Sequence, residues 1–175
     1  MKQTHKRRIL CCLGAVLCCA ALTACGKEEK KITRYRLKTE ITTSNSCAHS
    51  IYTGAQSAIT DMYAEDHDTS ELRDQVFNYT GRDFQFDSRP QAFASAEEEF
   101  RYRVYVYYND ITTMDNISFS FGDSKWGGEL ECVAVKRTED KYDTEVYGTH
   151  PHQLTIDDFD SINSMNDAVA FAKRG

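Results

Sequence analysis

A long amphipathic segment, residues 41 to 63, most constrains what this chain can fold into. Apolar residues recur along it at spacings of three and four, the periodicity of one helix face. They are Ile41, Ala48, Ile51, Tyr52, Ala55, Ile59, Met62 and Tyr63. No proline interrupts the segment, and the polar residues 66 to 70 (DHDTS) are typical of a turn that ends a helix. The pattern predicts one helix whose apolar face must be buried against other elements.

Strand signals follow in the second half of the chain. Strict alternation in Ile117-Ser-Phe-Ser-Phe121 places the apolar side chains on one face and the serines on the other. Residues rich in aromatic and β-branched side chains predict three further strands: 101–108 (RYRVYVYY), 129–136 (ELECVAVK) and 144–148 (TEVYG). We expect Leu130, Cys132 and Ala134 to face the same way. A helix followed by consecutive strands predicts an α+β fold, with the helix packed on an antiparallel sheet of about four strands.

Capping signals predict three shorter helical pieces. Ser70 is a candidate N-cap for a helix that extends to about Tyr79. Ser95 is placed to cap a helical turn over residues 94–100, in which Glu97, Glu98 and Glu99 would form a solvated acidic first turn. Ser164 and Asp167 have the spacing of a capping pair at the start of a short C-terminal helix, residues 164–174.

The N-terminus has the layout of a secretory signal. A basic stretch, residues 2–8, precedes thirteen mostly apolar residues, 9–21, a run that is too short to span a bilayer as a helix. It ends in Leu22-Thr-Ala-Cys25, which resembles the lipobox of bacterial lipoproteins. The resemblance implies cleavage between Ala24 and Cys25 and acylation of the Cys25 thiol. It predicts a signal peptide at 1–24, a lipidated charged tether at 25–38 and a folded body at 39–175, held on the cell membrane and facing outside the cytoplasm.

Two further stretches carry a second resemblance. Residues 48–59 (AHSIYTGAQSAI) are similar to the globular half of the first helix in type IV pilin-like proteins of Firmicutes. The ISFSFG strand, Gly148-Thr-His-Pro151 and residues 154–158 (LTIDD) resemble the C-terminal half of the same family. The resemblance covers residues 38 to 175 and implies a pilin-like headgroup. It departs at the front, where a lipobox stands in place of the long apolar helix and processing motif that build a pilus.

Charge narrows the choice of partners. Of the 21 basic residues four precede Cys25, whereas all 27 acidic residues follow it, so the part after Cys25 carries 17 basic and 27 acidic residues and a formal charge of −10. A body this acidic does not attract nucleic acid by charge. We therefore expect no nucleic-acid partner.

Two cysteines of the body leave two interpretations open. Cys47 lies on the helical segment and Cys132 on a predicted strand, and a disulfide between them is permitted outside the cytoplasm. Alternatively, both are small buried apolar residues with free thiols, which is the interpretation that we favour.

Candidate chemistry is sparse. His150 and His152 are alternate residues of an extended segment and form a weak metal-ligating pair. The acidic stretch 66–71 lacks the glycine and glutamate of an EF-hand, and the segment from Gly122 to Trp126 lacks the second glycine of a nucleophile elbow. These residues indicate no enzyme and no cofactor.

The sequence therefore predicts a membrane-anchored surface lipoprotein with a non-catalytic structural or interaction role. Its expected partners are the membrane, through acyl chains on Cys25, and envelope, pilus or secretion proteins. The alternative is a surface lipoprotein that binds a peptide, a glycan or a metal.

Overall fold

The computed structural model describes residues 3–124, 127–139 and 144–174, with side chains from residue 33 onward. The chain divides into two compact units, Met1–Lys38 and Thr39–Gly175. Helix α1, Gln3–Ala64, begins in the first unit and ends in the second. Among the residues with described side chains, no helix is both long and apolar enough to cross a membrane.

The second unit is an α+β domain, as predicted. Its sheet contains β1 (Val76–Tyr79), β2 (Asn116–Ser124), β3 (Gly127–Glu139) and β4 (Thr144–His150). The strands lie in the order β1-β2-β3-β4, and every neighbouring pair is antiparallel. Two helices join α1, namely α2 (Ala96–Tyr107) and α3 (Met165–Ala172). Short 3₁₀ turns occupy Ser70–Leu72, Gly81–Phe84, Asn109–Thr113 and Phe159–Ser161.

One face of the sheet forms the main core with α1 and α2. The alternation in β2 directs Ile117, Phe119 and Phe121 into a buried cluster. Side chains from α1 and α2 fill the rest of this cluster, and they include Ile51, Ala55, Met62, Phe100 and Val104. The predicted helix on a sheet is therefore confirmed, with α2 as a second element in the same layer.

The opposite face of the sheet carries small residues under α3. Ser118 and Ser120 are fully buried, and they pair across the ladder with Ala134 and Cys132. The Cys132 thiol lies 3.8 Å from the Val169 carbonyl oxygen of α3. The C-terminal helix begins as predicted, since the Ser164 hydroxyl accepts a hydrogen bond from the Asp167 backbone amide.

A β-bulge corrects one prediction about β3. The register between β2 and β3 shifts between Ser120 and Phe121, which leaves an extra residue in β3. Leu130 therefore lies opposite Phe121 and joins the α1 cluster, together with Val133. Cys132 and Ala134 do not share that face, because the bulge interrupts the strict alternation on which the prediction rested.

The end of β4 is seated directly on α1. A Cβ at Gly148 would overlap the backbone carbonyl of Ser44, so the absence of a side chain allows the helix and the strand to touch. Beside this contact, the Asn45 side chain accepts a hydrogen bond from the Thr149 amide at 2.9 Å and donates one to the Leu154 carbonyl at 2.8 Å. These contacts hold β4 and the segment after it against the helix.

Two local predictions are wrong. Residues 101–108, predicted as a strand, mostly belong to helix α2, because the cap at Ser95 starts a helix whose Phe100 and Val104 fill the core one turn apart. Residues 76–79, predicted as the end of a helix, form strand β1, because they pair with the free edge of β2. In each segment tertiary packing outweighs the local signal.

Candidate functional site

The predicted lipidation site lies in the first unit. Ala24 and Cys25 fall within α1, in the part of the chain whose side chains lie outside the described residues. Trp126, at the end of the segment that was compared with a nucleophile elbow, also lies outside the described residues.

The rings of His150 and His152 pack against different helices. The His150 ring packs on α1, with centroid distances of 4.6 Å to His49 and 4.5 Å to Tyr52. The His152 ring lies 4.7 Å from the ring of Phe171 on α3. Burial, followed by the nearby His49, lowers the pKa of His150 below its ordinary value. These contacts indicate packing roles for both histidines.

Cys47 and Cys132 are both free thiols. Cys47 is half-buried at the edge of the main core, whereas Cys132 is buried on the α3 side of the sheet. Burial raises the pKa of the Cys132 thiol to about 11, which keeps it protonated at neutral pH.

A cluster of charged side chains gathers where α1 ends and α2 begins. Glu65 directly follows α1, His67 lies in the turn after it, and Glu99 and Arg103 stand one turn apart on α2. The His67 Nδ1 atom is 2.8 Å from Glu99 Oε1 and 2.7 Å from Glu99 Oε2. The His67 Nε2 atom is 3.8 Å from Glu65 Oε2. Two parts of the chain that are more than thirty residues apart, the turn after α1 and helix α2, therefore converge on one point.

Arg103 holds the two carboxylates of this cluster. Its Nε donates to Glu99 Oε1 at 2.8 Å, and its Nη2 donates to Glu99 Oε1 and to Glu65 Oε2, both at 2.6 Å. Hydrogen bonding to Arg103 lowers the pKa of Glu65, and the same bond is the main cause that raises the pKa of Arg103. Both groups of the pair are therefore charged at neutral pH.

The network continues along α1 to the surface. Tyr107 donates its hydroxyl hydrogen to Asp61 Oδ2, and this bond raises the pKa of Tyr107. Asp61 Oδ2 also lies 3.8 Å from Arg103 Nη1. The C-terminal part of α1 is thus tied to α2 by a ladder of polar contacts above the apolar core.

Three cavities lined by described residues border the cluster. The largest, about 830 Å³, lies between α1 and the end of the β2–β3 hairpin. Its lining includes His67, with Tyr63 and Gln56 from α1 and Glu129 and Leu130 from β3. A cavity of about 570 Å³ is lined by His67, Glu99 and residues 89–93, and one of about 210 Å³ lies against Arg103 and Glu65. His67 therefore lines two of the three cavities.

The sequence did not point to this cluster. Glu99 was predicted to be solvated with Glu97 and Glu98, but its side chain is only 7% exposed. Its burial follows from the continuation of α2, which places Glu99 and Arg103 at the i, i+4 spacing of an ion pair. That spacing is visible in the sequence once residues 101–107 are taken as a helix. The proximity of Glu65 and His67 to Glu99 depends on the tertiary fold.

No family model matches this chain, and no match was found among curated proteins or solved structures.

Proposed function

We propose that the protein is a membrane-anchored surface lipoprotein whose pilin-like body has a structural or interaction role. The observation that carries the proposal is Leu22-Thr-Ala-Cys25, placed directly after a basic stretch and a short apolar run. Acyl chains on Cys25 would bind the outer face of the membrane, since each buried methylene contributes about 0.8 kcal/mol and two chains anchor durably.

The architecture of the body is consistent with the pilin-like part of the proposal. A helix packs across one face of a four-stranded antiparallel sheet, and a short helix ends the chain. Residues from both resembling stretches meet in the structure, since the His150 ring lies 4.6 Å from the His49 ring and 4.5 Å from the Tyr52 ring. An acyl anchor in place of a polymerising helix favours a tethered subunit that contacts envelope, pilus or secretion proteins.

Metabolic labelling with a radioactive or alkyne-tagged fatty acid tests the anchor. Label should enter the wild-type chain and disappear in Cys25→Ala, while Cys47→Ala, which leaves the lipobox intact, should label normally. Label that persists in Cys25→Ala would refute the assignment of the anchor.

Affinity isolation of the lipidated protein from detergent-solubilised membranes tests the interaction role. We expect envelope or pilus subunits to co-purify, and a chain with Gly148→Ala, which disturbs the seat of β4, to recover less of them. Recovery of the wild-type protein alone argues against this role.

One observation favours a second function, that of a ligand-binding lipoprotein. The 830 Å³ cavity has the size of a small-molecule site and combines an apolar floor, Ile59 and Leu130, with the polar groups of Gln56, Thr60 and Tyr63. Native mass spectrometry of the isolated protein distinguishes the two, because a retained small ligand in place of protein partners identifies a receptor.

A further inference from the structure

We propose that Glu65, His67 and Glu99 form a binding site for a divalent transition-metal ion. One ligand atom from each side chain lies within 4.8 Å of the others. The shortest approach is 2.7 Å, between His67 Nδ1 and Glu99 Oε2. The donors come from the end of α1, from the turn after it and from α2, so the fold itself brings them together.

The cluster combines one fixed ligand with two adjustable ones. The Glu99 side chain is 7% exposed and is held on helix α2 by Arg103. The side chains of His67 and Glu65 are 41% and 49% exposed, so both can adjust to an incoming ion. The 570 Å³ cavity, lined by His67 and Glu99, gives access from solvent.

Only small movements are needed to accommodate an ion. Two nitrogen or oxygen ligands at about 2.0–2.2 Å from one ion stand about 3 Å apart, close to the present separation of His67 Nδ1 and Glu99 Oε2. His67 moves outward by a fraction of an ångström, with Nδ1 as the ligating atom. Glu65 completes the set by rotation of its exposed side chain, which exchanges its hydrogen bonds from Arg103 for a bond to the ion.

Arg103 acts as the supporting group. Hydrogen bonds from outside the ligand set orient ligating carboxylates and increase metal affinity. Arg103 bonds Glu99 through Oε1 and leaves Oε2 directed at His67. Within the cluster, the two carboxylates outnumber the one guanidinium, which favours the binding of a cation. Arg103 is therefore a positioning residue.

The donor set indicates the class of ion. Imidazole nitrogen suits transition metals, and carboxylate oxygens suit harder ions such as Mn²⁺. Three protein ligands leave further positions for water or a bound ligand. Mn²⁺ is also a practical probe, because the thiols of this chain prefer softer ions.

Mn²⁺ titration of the full chain in detergent micelles, followed by electron paramagnetic resonance, tests the site. Free Mn²⁺ gives a six-line signal that diminishes on binding. We expect one saturable site in the wild type and at least a tenfold weaker affinity in His67→Gln, as is typical when a ligand is lost. His152→Gln, which alters a histidine that packs on α3, should bind like the wild type.

A second pair of variants compares the buried candidate ligand, Glu99, with its neighbour in sequence, Glu98. Glu99→Gln should lose Mn²⁺ binding, whereas Glu98→Gln, on the same turn, should keep it. Circular dichroism and urea unfolding establish that each variant is folded, and His67→Gln, altered in an exposed turn, remains informative if Glu99→Gln is not. Absence of saturable binding by the wild type, or equal affinity in His67→Gln, would show that the cluster is only an ion-pair network and overturn the proposal.

Cys25→Ala should leave Mn²⁺ binding unchanged, so failure of the anchor and failure of the metal site are distinguishable.

Discussion

The two faces of the sheet are both buried, but they carry different types of side chain. The α1 face packs aromatic rings, since Phe119 lies 5.1 Å from Phe100 and 6.1 Å from Phe84 between ring centroids. The α3 face packs Ser118, Ser120 and Cys132 beneath a helix of eight residues. The first face has large side chains that exclude water, whereas the second depends on close approach and on hydroxyl hydrogen bonds.

This difference locates the source of stability. Burial of apolar area contributes about 25 cal/mol per Å², so the aromatic face supplies most of the hydrophobic stabilisation. On the other face, the Ser118 hydroxyl donates to Asn78 and the Ser120 hydroxyl donates to Glu131, which offsets the cost of burying them. Substitutions on the two faces should therefore differ severalfold in their effect on the free energy of unfolding.

The largest effect is expected for Phe119→Ala. Removal of a fully buried ring that contacts Phe84 and Phe100 should lower the free energy of unfolding by about 3–5 kcal/mol. Its neighbour in sequence, Ser118→Ala, removes one hydrogen bond on the opposite face and should cost about 1 kcal/mol. Urea unfolding measures both, and equal losses would contradict the division between the faces.

The second prediction concerns Gly148, the glycine of β4 that lies directly against the backbone of α1. Gly148→Ala places a methyl group against the Ser44 backbone and should cost about 1–3 kcal/mol through overpacking. Gly54→Ala is the matched control, because its methyl would lie 3.3 Å from Tyr107 Cβ and alanine favours a helix over glycine by up to about 1 kcal/mol. Thermal unfolding should show a lower Tm for Gly148→Ala only. A similar drop in Gly54→Ala, whose methyl faces the end of α2, would indicate that the loss is not specific to the contact between β4 and α1.

The sequence predicted those elements whose periodicity and environment agree. The helical stripe around Ile51 and the alternation around Phe119 were identified correctly, because each apolar position really faces the core. The predicted strand at 101–108 failed, because β-branched and aromatic residues also pack well on a capped helix. There Val104 is buried while Val106 remains 60% exposed.

The candidate metal site was beyond the reach of sequence patterns. Glu65 and His67 are separated from Glu99 by more than thirty residues, and no spacing rule links them. Their convergence depends on the packing of α1 and α2 side by side in one core cluster, and the helix α2 was not predicted over residues 101–107. Once α2 is known, the i, i+4 relation of Glu99 and Arg103 gives the only local indication.

The third prediction compares the two faces at the end of β4 through the pH dependence of stability, because His150 packs on α1 and His152 packs on α3. Burial and His49 lower the pKa of His150, so the folded state favours the neutral ring. The resulting stability is complete above the ordinary value of 6.5 and is lost as the pH falls below it toward the lowered pKa. Between pH 7.5 and 5.5, the wild type should lose more stability than His150→Gln.

His152→Gln, altered on the α3 side, is the control and should follow the wild type. The range stops at pH 5.5 so that Glu65 does not affect the comparison. The pKa of Glu65 is lowered in the folded state, so its contribution to stability is lost only as the pH falls below the ordinary glutamate pKa of 4.5. Urea titrations at both pH values provide the comparison. The assignment fails if His150→Gln keeps the full dependence on pH.

The last prediction concerns the thiols of Cys47 and Cys132, whose rates of alkylation measure how readily a reagent reaches each face of the sheet. No change in the free energy of unfolding is involved. A pKa of about 11 for Cys132, against an ordinary 9.0, leaves roughly 100-fold less thiolate at pH 8, and burial slows its reaction further. Alkylation followed by peptide mass spectrometry should label half-buried Cys47 first and Cys132 only on unfolding. Cys132→Ala should therefore leave the fast labelling of the peptide that contains Cys47 unchanged, whereas Cys47→Ala removes the label from that peptide. Equal reaction rates at the two positions would mean that α3 leaves its face of the sheet readily, and that this face is a loosely closed layer.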